Sequence, residues 1–186
     1  IFAIRPLLQT KMNLELAATD EMIAIALKVK PQDVCIVPER REERTTEGGL
    51  NIKDSYDHLY RATQTLTEKG SRVSLFIAPD LKDIDLAKKM GAPVIEIHTG
   101  RYADAKDEGT KQKELKRVKD AAAYALSLGL VVNAGHGLHY HNVNLIAEIP
   151  GIEELNIGHS IVAHALFVGW DNAIREMKLL CRTYSK

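Results

Sequence analysis

Several residues whose types could do chemistry fall at the ends of short apolar runs. Glu15 interrupts Met12-Asn13-Leu14-Glu15-Leu16. A carboxylate buried at such a strand end has a raised pKa and can act as a general base. The alternative is a structural carboxylate paired with Lys or Arg. Glu96 and His98 lie in Ile95-Glu96-Ile97-His98-Thr99-Gly100. Their spacing of two puts both side chains on one face of a strand, where a carboxylate can orient an imidazole or raise its pKa. The alternative here is a satisfied core histidine and a buried ion pair. His136 stands between Gly135 and Gly137 in Asn133-Ala134-Gly135-His136-Gly137-Leu138. Glycines let backbone approach a ligand closely, and a histidine among them suits general acid–base work better than an ordinary turn.

Other segments suit anion binding. Asn156-Ile157-Gly158-His159-Ser160 runs from a strand into a helix, where backbone N–H groups can hold phosphate against the helix dipole, or where Ser160 simply caps the helix. Arg44-Thr45-Thr46-Glu47-Gly48-Gly49-Leu50 is either a polar surface loop or a mobile lid over a polar ligand. His136, His139 and His141 form a histidine group, but no carboxylate or thiolate completes a recognisable zinc spacing, so no metal is expected.

These positions need a scaffold. β-rich runs at 12–16, 34–37, 73–78, 94–98, 130–134 and 155–157 alternate with amphipathic stretches. The predicted helices span about 19–29, 52–69, 80–90, 110–128, 142–147 and 160–182, the last broken near Gly169, with a loop over 101–104. Strands that alternate with helices imply right-handed crossovers and a parallel sheet, and nearly all-apolar strands imply burial on both faces. A doubly wound sheet would announce a Gly-rich fingerprint after its first strand, and none is present. Polar residues at the C-terminal ends of several strands (Glu15, Glu39, Glu96, His98, His136, Asn156 and His159) are the pattern of a (β/α)8 TIM barrel. Phosphate commonly binds after the last two strands of such a barrel, which is where Gly137 and Gly158-His159 fall. Six βα units are two short of closure.

Composition narrows the field further. The 186 residues are 45% hydrophobic, enough for a core, with 25 basic and 25 acidic side chains. That balance gives no electrostatic footprint for nucleic acid or an acidic membrane. The two cysteines, Cys35 and Cys181, sit in apolar runs, which fits a reduced, cytoplasmic setting. No apolar run reaches the length of a membrane span. The chain starts Ile1-Phe2-Ala3-Ile4, so its ends are not taken as natural boundaries.

In order along the chain, Met-Asn-Leu-Glu, Val-Pro-Glu-Arg with Thr-Thr-Glu-Gly-Gly-Leu, Val-Ser-Leu-Phe-Ile, Ile-Glu-Ile-His-Thr-Gly with Tyr-Ala-Asp-Ala, Asn-Ala-Gly-His-Gly-Leu with Tyr-His-Asn-Val, and Leu-Asn-Ile-Gly-His-Ser-Ile-Val resemble the pyridoxine 5′-phosphate synthase family. The resemblance implies a transferase of vitamin B6 biosynthesis, cytoplasmic and homo-octameric, using phosphorylated small molecules and no cofactor. It would condense 3-amino-2-oxopropyl phosphate with 1-deoxy-D-xylulose 5-phosphate to give pyridoxine 5′-phosphate, phosphate and water. By matching motif, Glu15 is implied as proton acceptor, His136 as proton donor and Glu96 as transition-state stabiliser. Thr45, Gly137, Gly158 and His159 are implied as substrate and phosphate contacts. The family's first two strands carry Asn-x-Asp-His and His-x-Arg-Glu-Asp-Arg-Arg-His, and neither motif is in this chain. The expectation is therefore one barrel domain over 1–186, holding the third to eighth units and lacking the N-terminal quarter. Two alternatives stand beside this reading: an inactive fragment that retains phosphate binding, and a sugar-phosphate epimerase or isomerase on a similar barrel.

Overall fold

A computed structural model describes residues 1–39, 43–45 and 48–182. The chain divides into two compact units, Ile1–Glu96 and Ile97–Lys186. The first begins with a single 3-10 turn, Arg5–Leu7, and continues β1 (Asn13–Leu16), α1 (Asp20–Val29), β2 (Asp33–Ile36), α2 (Tyr56–Glu68), β3 (Arg72–Ile77) and α3 (Leu81–Lys89). Strand β4 (Val94–His98) crosses the division. The second unit continues with α4 (Gly100–Ala103), α5 (Glu108–Ser127), β5 (Val131–Gly135), α6 (Val143–Ala147), β6 (Ile152–Asn156), α7 (His159–Val168) and α8 (Trp170–Arg182).

In the first unit the strand order is β1-β2-β3-β4, and in the second β4-β5-β6. The β1–β2, β2–β3 and β5–β6 pairs are parallel. Register sorts the first unit's side chains into rows. Leu14, Val34 and Val73 align, as do Leu16, Ile36 and Leu75. These share one face and, with Ile77 and Ile84, form an apolar core. The opposite face is polar: Asn13, Asp33 and Arg72 form one row, and Glu15, Cys35 and Ser74 the next. Arg72 Nε donates to Asp33 Oδ1 at 2.5 Å, and Lys11 Nζ lies 3.7 Å from Asp33 Oδ2. The second unit's core gathers Val132 and Ala134 with Val118, Ala122, Ala125 and Ile146.

Helix ends follow local chemistry. The Thr19, Asp80 and Asp107 side chains accept from the backbone N–H of Met22, Lys82 and Thr110, which satisfies first-turn donors. Gly169, at φ +82, separates α7 from α8.

Several expected boundaries shift. Helix α2 begins at Tyr56, not Ile52, because Asn51 builds its own turn: its side chain accepts from Asp54 N and donates to Asp54 Oδ2. The expected loop over 101–104 contains α4 instead, closed by Ala103 N to Thr99 O and Asp104 N to Gly100 O. Strand β6 starts earlier, at Ile152, and its pairing with β5 is irregular at Val132/Asn133, which a purely apolar pattern does not reveal.

Candidate active site

In the first unit Glu15 shares a polar row with Cys35 and Ser74, and Cys35 reaches Glu96 on β4. Cys35 Sγ donates to Glu96 Oε2 at 3.3 Å. Cys35 is fully buried, Ser74 and Glu96 nearly so, and Glu15 is exposed. The burial postulated for the Glu15 carboxylate is thus not observed: the row's outer position opens to solvent and its inner ones do not. Burial, then the charge of Glu96 and its hydrogen bond, then the charge of Glu15 push the Cys35 thiol well above its ordinary range. Ser74 acts the other way: its hydroxyl lies near enough to the sulfur to favour the thiolate, although Ser74 Oγ makes no hydrogen bond of normal geometry. Two carboxylates beside a neutral thiol can take or stabilise protons, and the thiol fixes one oxygen of Glu96.

Thr45 belongs to a loop fastened to β3. Leu50 N donates to Phe76 O at 2.8 Å, Thr45 N to Gly49 O at 2.8 Å, and Arg44 and Leu50 form an isolated bridge. A Cβ on Gly49 would fall 2.5 Å from Ala78 N and 2.7 Å from Ile77 C, so only glycine permits this approach. Thr46 and Glu47, part of the expected lid, lie outside the described residues. A cavity of about 280 Å³ opens beside the loop's base between Thr19, Asp20, Glu43 and His58, and none of the predicted site residues lines it.

In the second unit His98 and His136 stack, with ring centroids 4.6 Å apart and planes 25° from parallel. His98 is buried and His136 exposed. His136 has φ +80 and Gly137 φ +76, two left-handed residues in succession. Thr99 steadies this turn: its Oγ1 lies 2.7 Å from Gly135 O and 2.6 Å from His136 O, and its N–H donates to Gly135 O. Asn142 Nδ2 donates to Gly137 O, Asn142 Oδ1 accepts from His139 N, and Tyr102 Oη donates to Asn142 O at 2.7 Å. Burial, with Glu108 and Glu148, pushes the Tyr102 phenol up to about 12.

Gly158 and His159 are exposed at the start of α7, which has no side-chain cap. Ser160 does not cap that helix: its Oγ donates to Leu138 O at 2.9 Å, tying the helix start to the turn after Gly137. An uncapped helix start of this kind leaves backbone N–H groups to which an anion can bind. His139 and His141 meet edge-on at 5.9 Å, and burial, His141 and Lys111 lower the His139 pKa. No group of three or more metal-capable side chains occurs among the described residues.

Sequence reasoning did not single out Cys35, Ser74, Tyr102 or Asn142 as parts of the site. Cys35 reads as one more apolar residue in Val-Cys-Ile-Val, and only register sets it beside Glu15 and Ser74.

Parallel strands in βα succession, with carboxylates and histidines at their ends, define a TIM-barrel-type enzyme. Solved structures bear out the fold. The probable 3-DHS dehydratase AsbF, involved in petrobactin synthesis in Bacillus anthracis, matches 94% of this chain and 70% of its own length, at TM-score 0.59 and 13% identity. An HpcH/HpaI aldolase/citrate lyase family protein from Burkholderia cenocepacia J2315 matches the whole chain and 82% of its own length, at 0.57 and 12%. A xylose isomerase domain protein from Planctomyces limnophilus matches 95% and 70%, at 0.55 and 14%. Sequence comparison is more specific. The family model described as pyridoxal phosphate biosynthesis protein PdxJ matches residues 1–183. A pyridoxine 5′-phosphate synthase from Aliivibrio fischeri (strain ATCC 700601 / ES114) is 58% identical over 174 residues, 94% of this chain and 72% of that protein. The chain belongs to the PdxJ family of pyridoxal phosphate biosynthesis proteins.

Proposed function

We propose that the chain acts as a pyridoxine 5′-phosphate synthase, a transferase that condenses 3-amino-2-oxopropyl phosphate with 1-deoxy-D-xylulose 5-phosphate and yields pyridoxine 5′-phosphate, inorganic phosphate and water. The carrying observation is the 58% identity, over 94% of the chain, to a protein of that name. Building an aromatic ring from an amine and two ketones takes imine formation, dehydration and repeated proton transfer. Glu15 serves as proton acceptor, His136 as proton donor, and Glu96 stabilises developing positive charge. Cys35 holds one Glu96 oxygen by hydrogen bond, and the stacked, exposed ring of His136 has access to ligand.

Thr45, Gly137, Gly158 and His159 hold phosphate. The bond from Ser160 to Leu138 and the uncapped start of α7 support this reading. Phosphate handles let binding energy be used to orient the reacting centres. The acid–base set needs no metal or organic cofactor for these steps. The reading extends to a cytoplasmic homo-octamer. Leu166 and Phe167 are 82% and 88% exposed on α7, apolar area that subunit contact would cover.

Incubating the chain with both substrates and following pyridoxine 5′-phosphate by chromatography tests the reading. Product with both substrates, and none with either alone, is expected. Phosphate binding without product would instead mark an inactive fragment, and turnover of a lone sugar phosphate would mark an epimerase or isomerase. Native mass measurement checks the octamer.

A further inference from the structure

Glu96 and His98 share a strand, yet only Glu96 has a part in the proposed chemistry. His98 is buried, and a hydrogen bond and a ring stack hold its imidazole. Its Nδ1 accepts from Gly100 N at 3.1 Å, and its face carries the His136 ring at 4.6 Å. The space beside the pair is fitted to it. A Cβ on Gly100 would lie 2.3 Å from His98 Cε1 and 3.1 Å from His136 Cδ2. The turn that delivers His136 to this stack is a left-handed one that a histidine rarely adopts, and it is pinned through Thr99, the residue between His98 and Gly100. The same short segment thus sets the backbone of His136 and supplies the surface beneath its ring.

The acceptor role of Nδ1 has a chemical consequence. A ring nitrogen that accepts a hydrogen bond carries no proton, so neutral His98 bears its hydrogen on Nε2. Protonating Nδ1 would set an N–H against the N–H of Gly100. It would also place two cationic rings face to face whenever His136 was charged. A neutral ring under a charged one is an attractive arrangement instead.

We propose that His98 is a positioning residue for His136: a neutral imidazole of fixed tautomer that holds the His136 ring in the plane from which it transfers protons. This rests on the reading of His136 as the proton donor. The two stacked histidines then differ in role: one moves protons and the other does not.

Long-range 1H–15N spectra of histidine-labelled protein, without substrate, report the tautomer directly. At pH 8 His98 is expected as the Nε2–H form, and an Nδ1–H or doubly protonated His98 at that pH overturns the proposal. Steady-state kinetics follow with His98→Phe, which keeps a ring under His136 but loses the acceptor, and His98→Ala, which loses both. The expected fall in kcat is about tenfold for Phe and about 100-fold for Ala, with KM within threefold of the parent, as for misplacement of a reacting group by roughly 1 Å. Unchanged kcat in His98→Ala overturns the proposal. So does a parallel loss of kcat, substrate affinity and thermal stability in both variants, which marks a merely structural ring. His136→Asn is measured alongside. If it retains turnover, the assignment of His136 fails and the proposal falls with it. If it is inactive while His98→Ala is fully active, only the proposal for His98 fails.

Discussion

Gly49→Ala gives the fold a numerical test. The added Cβ meets Ala78 N at 2.5 Å, Ile77 C at 2.7 Å and Ile77 Cα at 2.9 Å. All three are backbone atoms of β3 or its end, so no side-chain rotation relieves the clash. Restoring contact at about 3.5 Å requires the loop to retreat by about 1 Å. The hydrogen bond from Leu50 N to Phe76 O, now 2.8 Å, then passes its useful range, at a cost of about 1 kcal/mol. Leu50 is 3% exposed, and partial loss of its burial costs about 1–2 kcal/mol more. Alanine recovers about 0.5 kcal/mol by restricting the unfolded chain. The net loss is about 2 kcal/mol, or roughly 4–8 °C in melting temperature for a chain of this size. Because Thr45 N donates to Gly49 O, the same retreat moves a proposed phosphate contact, so KM should rise about tenfold while kcat changes less. Gly70→Ala is the control: Gly70 has φ +94 but nothing within 4 Å of its missing Cβ, so it costs only the left-handed strain, about 1 kcal/mol. Thermal unfolding by circular dichroism and steady-state kinetics provide the readouts. A Gly49→Ala protein that melts with the parent, or above Gly70→Ala, refutes the reasoning.

Three further outcomes are expected. Cys35 should resist iodoacetamide at pH 8 in the folded protein and react after unfolding, because its buried thiol stays protonated. Since the folded thiol lies above the unfolded value of 9.0, its contribution to stability is complete below pH 9 and declines as pH rises beyond that, which denaturant titrations at pH 8 and 10 can register. Tyr102 should ionise only at about 12 against 10.0 for the free phenol, so stability from this group holds to pH 10 and is lost between pH 10 and 12; Tyr102→Phe should abolish that alkaline step in absorbance at 295 nm and cost about 1 kcal/mol at neutral pH. Glu15→Gln and His136→Asn should each lower turnover at least 100-fold while shifting the melting temperature by less than about 3 °C, and equal losses of both properties would mark the two residues as structural.

Much of this arrangement was legible from residue order. The alternation of apolar runs and amphipathic stretches located the six strands of the described residues, because buried parallel strands carry largely apolar sequence, and β4 was placed to the residue. The glycines around His136 marked a turn, and the break near Gly169 was visible as well. Two kinds of information were not local. The Cys35–Glu96 bond joins residues 61 apart, and nothing in Val-Cys-Ile-Val reveals which strand it will face. Likewise, Ser160 precedes a helical pattern as a cap would, but its hydroxyl serves Leu138, 22 residues earlier. Short-range chemistry made the same side chain look like a cap because a cap and a tether ask for the same oxygen.

The backbone of His136 has a consequence for how this chain would respond to selection. At φ +80, histidine occupies a conformation that asparagine and glycine enter more easily. A library screened only for soluble, folded protein should therefore enrich Asn or Gly at residue 136, and one screened for vitamin B6 prototrophy should keep His. At Gly137, whose Cβ would strike the Ala103 methyl at 2.6 Å, both screens should return glycine. Adjacent positions would thus carry opposite signatures, one recording the demands of folding and the other the demands of chemistry.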